Sequence, residues 1–542
     1  MGPGSRRGRP AGPSIQSAHL PAPVGGLNTV SAGSAMPLSD CLQGYNVVAA
    51  ELGLRSRLGY REWCTGLSGA ADDYVRTVLP FTGSAKSGAQ DRLFAATATG
   101  IWDVSASSMP PIEQVASFPI EVGDSGYGIS HSFVTAAGVH YLLYADEANG
   151  LMRYSEATGT WESVAEGTGA GEINGVDPAN LVFVTAFKRR LWFVERDTAR
   201  AWYLPAGAIG GTAQPFDMGA QFRAGGPLVG LWNWTYDGGA GLDDSLVAIS
   251  GGGDVAIYQG TDPANPAEFG LRGVWSLGGS PPAGRRIATD FGGDVLILSR
   301  LGVLPLSRLV AGEVNKDTYV TAKVANLFNS LMLTRASLPG WSMRLHPEDN
   351  ALVVTVPTYP GQPTEQLVMA LAGRAWFRYR DLPIYSSEVW GGKLYFGTVD
   401  GRVCVNDGYV DGISLADPNA FMPVQWSVLT AFTNLGTPRQ KQVQLLRPTL
   451  LSESSAPAYE IQARYRYDFA ELPPVSAMAG DGSTWDGGTW DRDVWSGEYQ
   501  ASQRLRGATG LGVDMAIAIR GTATARTVLV GIDVMYTAGG LL

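Results

Sequence analysis

Apolar residues in this chain come in runs of three to five, each stopped by a glycine-bearing turn and answered by a second run. Leu93-Phe94-Ala95-Ala96-Thr97 turns through Thr99-Gly100 into Ile101-Trp102-Asp103-Val104, and Tyr141–Tyr144 turns at Asn149-Gly150 into Leu151-Met152-Arg153-Tyr154. Leu191–Val194 returns as Ala201–Leu204, Leu246–Ile249 turns through Gly251-Gly252-Gly253 into Val255–Tyr258, and Val295–Leu298 turns at Gly302 into Val303-Leu304. Leu394-Tyr395-Phe396 turns at Asp400-Gly401 into Val403-Cys404-Val405. Asn-Gly and Asp-Gly fit such sites because both central residues of a type I′ turn need φ > 0, and that turn matches the twist of the strands.

The first five hairpins begin at residues 93, 141, 191, 246 and 294, intervals of 48 to 55 residues. That is the length of a four-stranded propeller blade. A second pattern falls between some of them: Tyr154 to Trp161 and Met369 to Trp376 each place a glycine turn (Gly159, Gly373) just before a tryptophan. Packing of neighbouring blades would bury those indoles. Dividing residues 75–410 by this period predicts a mainly β chain with a β-propeller of about six blades, once an insertion near 311–345 is removed. Within the insertion, residues 317–332 lack Gly and Pro, and Val320, Val324, Leu327, Leu331 and Met332 share one helical face, with Asp317 as the expected cap.

After residue 411 the pattern changes. Val513–Arg520 and Val528–Tyr536 alternate strictly, so 411–542 is expected to be a separate antiparallel sheet or sandwich. Residues 21–74 are punctuated by Pro and Gly and are expected to form an extended docking arm. Residues 1–20 read as a disordered basic arm, with Arg6, Arg7 and Arg9 set among Gly, Pro and Ser. A solvated tail and a contact with nucleic acid both fit it.

Length and composition agree with several β units: 542 residues, 70 of them Gly, with 15 Trp and 21 Tyr. The net charge of −10 excludes a chain that grips polyanions over its whole surface. Cys41, Cys64 and Cys404 form neither a disulfide framework nor a metal spacing, which fits assembly in a reducing cytoplasm. No apolar run approaches the roughly 20 residues that span a bilayer, and the N-terminus lacks the apolar core of a signal peptide. A soluble chain, without membrane insertion or classical export, is expected.

Candidate chemistry is sparse. His19, His131, His140 and His346 are dispersed, and no ligand pair of the HExxH kind occurs. Gly128-Ile-Ser130-His-Ser132 lacks the closing glycine of a nucleophile elbow, and Lys86-Ser87 lacks the glycines of a phosphate loop. Asp72-Asp73 and Asp243-Asp244 lie in polar turns and are more often solvated than catalytic. No catalytic, metal or cofactor residue is expected. One unusual stretch repeats every five residues, at Trp485, Trp490 and Trp495, a spacing that fits neither strand nor helix. Its indoles are best read as core or subunit-interface packing. A sugar platform, or calcium held by Asp481, Asp486, Asp491 and Asp493, are the alternatives, and the aspartate spacing misses the EF-hand pattern.

Several of these segments together resemble a known family. Gly253–Pro263, Gly273–Gly278 and Gly292–Val303 are similar to signatures of tail proteins of double-stranded DNA phages. So are Gly25-Gly26-Leu27-Asn28, Met36-Pro37, Tyr45-Asn46, Arg57–Tyr60, Leu394–Val403, Gly436–Lys441 with Arg447-Pro448, and the Trp-Asp repeat. The resemblance covers most of residues 24–540, and the family it fits best is the nozzle, or tail tubular B, proteins of short-tailed phages. These are similar in turn to tail hub, or packaged-DNA stabilisation, proteins.

The resemblance implies a structural virion protein without a catalytic residue. About six copies would form a homo-hexameric ring below the adaptor attached to the portal, assembled in the bacterial cytoplasm. The ring would carry passing duplex DNA, hold the genome until ejection, and anchor tail fibres or spikes. An acidic lumen suits that role, since each cationic contact with phosphate would add salt-dependent grip. Loops 205–226, 237–244 and 260–270 are the candidate lumen or gate loops, with Asp237, Asp243, Asp244 and Asp262 as their acidic residues. A head-to-tail stopper, a tail hub, and a glycan-binding propeller adhesin remain alternatives, and a propeller hydrolase is disfavoured by the missing acid–base pair.

Overall fold

Each hairpin read from the sequence forms the second and third strands of a small antiparallel sheet. This is seen in a computed structural model that describes residues 15–67, 74–237, 242–453, 457–475 and 499–539. Blade 1 consists of Thr77–Phe81, Arg92–Ala96, Gly100–Asp103 and Gln114–Ser117, and blade 2 of Gly128–Val134, His140–Asp146, Gly150–Ser155 and Thr160–Ser163. Blade 3 consists of Leu181–Phe187, Arg190–Glu195, Arg200–Tyr203 and Gln214–Asp217. Blade 4 consists of Leu228–Asp237, Leu242–Ser250, Asp254–Gly260 and Phe269–Ser276. Blade 5 has three strands, Ala288–Phe291, Asp294–Ser299 and Gly302–Pro305. Blade 6 joins Ser386–Trp390, Lys393–Gly397 and Arg402–Asn406 to Tyr60–Thr65.

The middle strands are legible because both their faces are covered. Gly150–Ser155 is buried at every position, so its side chains can be apolar on alternate sides without exposing either. Between blades 1 and 2 the cover is aromatic: Trp161 of blade 2 meets Phe94 of blade 1 edge-on, ring centres 5.2 Å apart. Equivalent clusters lie between blades 2 and 3, 3 and 4, and 6 and 1. Blades 4 and 5 share the largest cluster, and blades 5 and 6 meet through an intervening meander, so the ring is closed by packing. A seam within blade 6 latches it by backbone hydrogen bonds, since that sheet takes its outer strand from residues 60–65 and its other three from residues 386–406. The six-bladed reading from the period is seen as these six separate sheets.

Between blades 5 and 6 stands a four-strand meander that the sequence reading does not single out: Ser342–His346, Ala351–Val356, Glu365–Ala370 and Ala375–Arg380. Its first strand packs between the inner strands of blades 5 and 6. Its last continues into a ten-stranded sheet through Asp40–Tyr45, Met422–Thr430, Met515–Ala523 and Tyr459–Tyr465. Trp376, in the second tryptophan pattern, lies in this meander and is buried.

The chain leaves blade 5 before a fourth strand forms and enters the insertion. The helix there runs Ala325–Arg335, after a 3-10 turn at Ala322–Val324, so the expected start at Asp317 is corrected by about two turns. Pairing with blade 5 explains the shift. Val320 N–H donates to the Val303 carbonyl, and Val303 N–H donates to Thr321 Oγ1, which ties residues 320–321 to blade 5 in a turn ahead of the helix. Asp317 caps nothing: its own N–H donates to Asn315 Oδ1 in the preceding turn. A five-residue helix at Leu306–Val310, absent from the sequence reading, precedes it.

The C-terminal part is an antiparallel β sandwich. Its second sheet carries Lys441–Ser452 and Thr527–Ala538, and Val443, Leu446, Ile532 and Val534 of this sheet share one core with Val428, Ile517 and Ile519 of the ten-stranded sheet. The expectation of an extended arm over residues 21–74 is corrected here. Ile15–Pro21 pairs with Thr527–Ala538, Asp40–Tyr45 lies inside the ten-stranded sheet, and Val47–Ala50 with Gly53–Ser56 forms a hairpin on the second sheet. Residues 15–20 are therefore strand rather than a disordered arm, whereas residues 1–14 lie outside the described part. Strand pairing wins because the apolar Leu20, Leu27, Val47 and Leu54 are all buried in the sandwich core.

Candidate functional site

The acidic residues picked from sequence gather at one end of blades 3 and 4. The blade 3 hairpin turns at Lys188 and Arg189, both with positive φ. Lys188 Nζ donates to Asp244 Oδ2 at 2.6 Å, and Arg190 lies 3.4 Å from Asp262 Oδ1. The hydrogen bond from Lys188 holds the Asp244 carboxyl below the usual carboxylate range, assisted by one from Thr235. Asp237 and Asp243 sit opposite their strand partners at the end of the blade 4 hairpin, and their side chains lie outside the described residues. Two of the four acids are thus paired with bases and present less free negative charge than a count of carboxylates suggests.

Loop 205–226 does not belong with them. Gly211–Thr212 pairs with Ile173–Asn174, and Gln214–Asp217 is the outermost strand of blade 3, on the side of the blade away from the axis. Trp485, Trp490 and Trp495 fall outside the described residues, as do the four aspartates named with them.

The opposite end of the propeller axis holds a site that the sequence reading did not single out. Residues 277–287 cross from blade 4 to blade 5 and end in Arg285 and Arg286. Arg285 donates to the Leu228 and Val229 carbonyls at 3.1 and 2.8 Å and forms an ion pair with Glu147. Arg286 donates to the Gly128 carbonyl at 2.9 Å, to the Arg76 carbonyl at 3.2 Å, and to Thr77 Oγ1. Two adjacent side chains therefore bind blades 1, 2 and 4 from a linker leading to blade 5. Burial lowers the Arg286 pKa, and the nearby Arg344 lowers it further.

On either side of this arginine pair lies a cavity. One, of about 280 Å³, is lined by Asp124, Tyr127, Glu147 and Trp341 besides the two arginines. The other, of about 270 Å³, occupies the axis itself: His131, Thr185, Asn233, Asp290 and Arg344 each come from a different innermost strand. Arg344 is paired with Glu388 at 2.7 Å. Burial raises the Asp290 pKa in spite of Arg344, and lowers that of His131. Asp290 nevertheless has accessible surface, because it faces the channel.

Volumes near 300 Å³ match small-molecule sites rather than a passage for a polymer. A signal for this site does exist in the sequence: Pro281-Pro282-Ala-Gly-Arg285-Arg286 places two adjacent cations in a short linker just before an inner strand. Among the described residues no three His, Cys, Asp or Glu side chains gather as a metal ion would need, and no helix is long and apolar enough to cross a membrane.

The six blades, meander and sandwich define a β-propeller protein with an attached antiparallel β sandwich. No family model and no curated protein matches the chain. Among solved structures, the computationally designed Ika8 protein is 9% identical, with a TM-score of 0.34 over 64% of this chain and 99% of that one. BBS1N, from its complex with ARL6DN, is 10% identical, with a TM-score of 0.35 over 65% of this chain and 97% of that one. Likenesses this remote bear on neither mechanism nor partners.

Proposed function

We propose that this chain is the structural subunit of a phage tail nozzle: about six copies form a ring at the end of a short tail, carry the DNA exit channel, and anchor fibres or spikes. The observation that carries the reading is the run of residues 253–303, whose glycine punctuation resembles that of phage tail proteins. In the fold this run spans the last two strands of blade 4, the arginine linker and blade 5. Two further features support it. The axial cavity of a single propeller, about 270 Å³, is too small for a duplex, so the conduit belongs between copies. The chain's net charge of −10 favours a lumen that DNA slides past.

In this reading the protein is no enzyme, takes no cofactor, meets the adaptor ring on one side and the fibres on another, and resides in the virion. Sedimentation velocity of the purified chain tests it: a species of about six subunits is expected, and a monomer at all concentrations contradicts it.

A second reading, a glycan-binding adhesin, is favoured by one cavity. Tyr127 stands beside Asp124 and Glu147 there, an aromatic and carboxylate set of the kind that binds sugars. A monomer that binds glycan, and loses it with Trp490→Ala, would establish that reading in place of the first.

A further inference from the structure

The axial chamber holds a charge that its own side chains leave unanswered. Arg285 is neutralised by Glu147 and Arg344 by Glu388. Arg286 lies between them, and its bonds go to two carbonyl oxygens and one hydroxyl, all uncharged. Among the described residues it makes no ion pair with a carboxylate. The one remaining carboxyl of the chamber, Asp290, makes no ion pair with Arg286 among the described residues, and burial raises its pKa. A guanidinium held in a confined, poorly solvated space without a counter-charge is costly. Forked donors of this kind fit the oxygens of phosphate and carboxylate groups.

We propose that the axial chamber, between Arg286 and Arg344, binds a compact oxyanion: a phosphate or carboxylate group. The site lies on the propeller axis, where five inner strands each contribute one polar side chain and the cavity of about 270 Å³ admits such a group. Arg286 supplies charge and fixes the position, as its other donors are committed to blades 1 and 2. Arg344, on the strand beside blade 5, supplies a second guanidinium, and Asn233 the amide N–H left over from its bond to the Ala186 carbonyl. Asp290 opposes the anion whenever it is ionised. The inference does not rest on the virion reading, and it holds equally for a ring subunit or a monomer.

Isothermal titration of the full chain with inorganic phosphate, at constant ionic strength against chloride, tests this. Saturable binding at one site is expected, and a parallel titration with acetate distinguishes phosphate from carboxylate recognition. Arg344→Gln combined with Glu388→Gln keeps a neutral hydrogen-bonding pair and the local net charge. It is expected to weaken binding at least tenfold with little change in Tm. Asp290→Asn is expected to strengthen binding several-fold. These opposite effects cannot come from a general change in stability. No saturable binding of either anion, or an affinity unchanged in both variants, overturns the proposal and leaves Arg286 as a clamp between blades only.

Discussion

Arg57 grips the carboxylate of Asp411 with two hydrogen bonds, at 2.7 and 2.6 Å, and both side chains are buried. Arg57 lies where the chain passes from the sandwich into blade 6, and Asp411 where it returns from blade 6 to the sandwich. The pair therefore ties together the two crossings between the parts of the molecule. Removing one partner leaves a buried charge without an answer, so Arg57→Ala or Asp411→Ala should each lower stability by about 3–5 kcal/mol. Replacing both by apolar residues of similar volume should cost much less than the two single changes added. Urea denaturation of the three variants measures this, and additive losses would show that the pair is not coupled.

Trp161 fills the contact between blades 1 and 2 and is 9% exposed. Its indole N–H has no hydrogen-bond partner among the described residues, so its value is packing alone. Trp161→Ala should destabilise by about 3–5 kcal/mol through cavity formation. Trp161→Phe, which preserves the edge-on contact with Phe94, should cost clearly less. Thermal unfolding of the two variants checks the ranking.

Acid should loosen the junction beside Arg57. Asp349 is fully buried, which alone would raise its pKa, but Arg55, His346 and the Tyr379 hydroxyl outweigh burial and hold it below the usual carboxylate value. A lowered pKa in the fold means that the stabilisation is present above the unfolded value, about 3.9, and is lost as pH falls through the folded one. Asp290 and Glu147, whose pKa values are raised, act in the opposite sense. The contribution of Asp349 is therefore read as a difference: stability of the native chain should fall more steeply below pH 4 than that of Asp349→Asn. Equal slopes would contradict the assignment.

Two glycines separate backbone need from space. Gly253 has a φ of +94°, and a Cβ there would be driven into the Gly279 carbonyl oxygen. Gly159 has a φ of +68° and open space around it. Gly159→Ala should cost only the left-handed conformation, about 1–2 kcal/mol, and Gly253→Ala more than that. Comparing their unfolding midpoints tests whether close approach adds to the conformational cost.

The sequence shows the propeller most clearly where a strand is covered on both faces, because such strands read as unbroken apolar runs bounded by Gly. The meander at 342–380 has equally apolar strands, and its second strand begins at Ala351, between those of blade 5 at Asp294 and blade 6 at Lys393, close to the rhythm of the blades; the helical insertion before it and turns without an Asn-Gly or Asp-Gly pair hide it. The N-terminal strands are hidden for a different reason. Their partners, such as Thr527–Ala538 for Ile15–Pro21, lie some five hundred residues away, and local pattern carries no trace of that pairing. The acids Asp244 and Asp262 are legible as loop residues, yet their pairing with Lys188 and Arg190 belongs to the geometry of adjacent blades. Arg286 is the extreme case: a surface-type residue by sequence, it is taken to the axis by a linker of eleven residues between strands.

The proposal of a tail nozzle stands or falls on how copies of this chain assemble. A cryo-EM reconstruction of the purified assembly tests it most directly. A closed ring of about six subunits is predicted, with a central opening between copies wide enough for a DNA duplex and each propeller's own axis shut by Arg285 and Arg286. A monomer, or a ring whose opening is too narrow for a duplex, would contradict it.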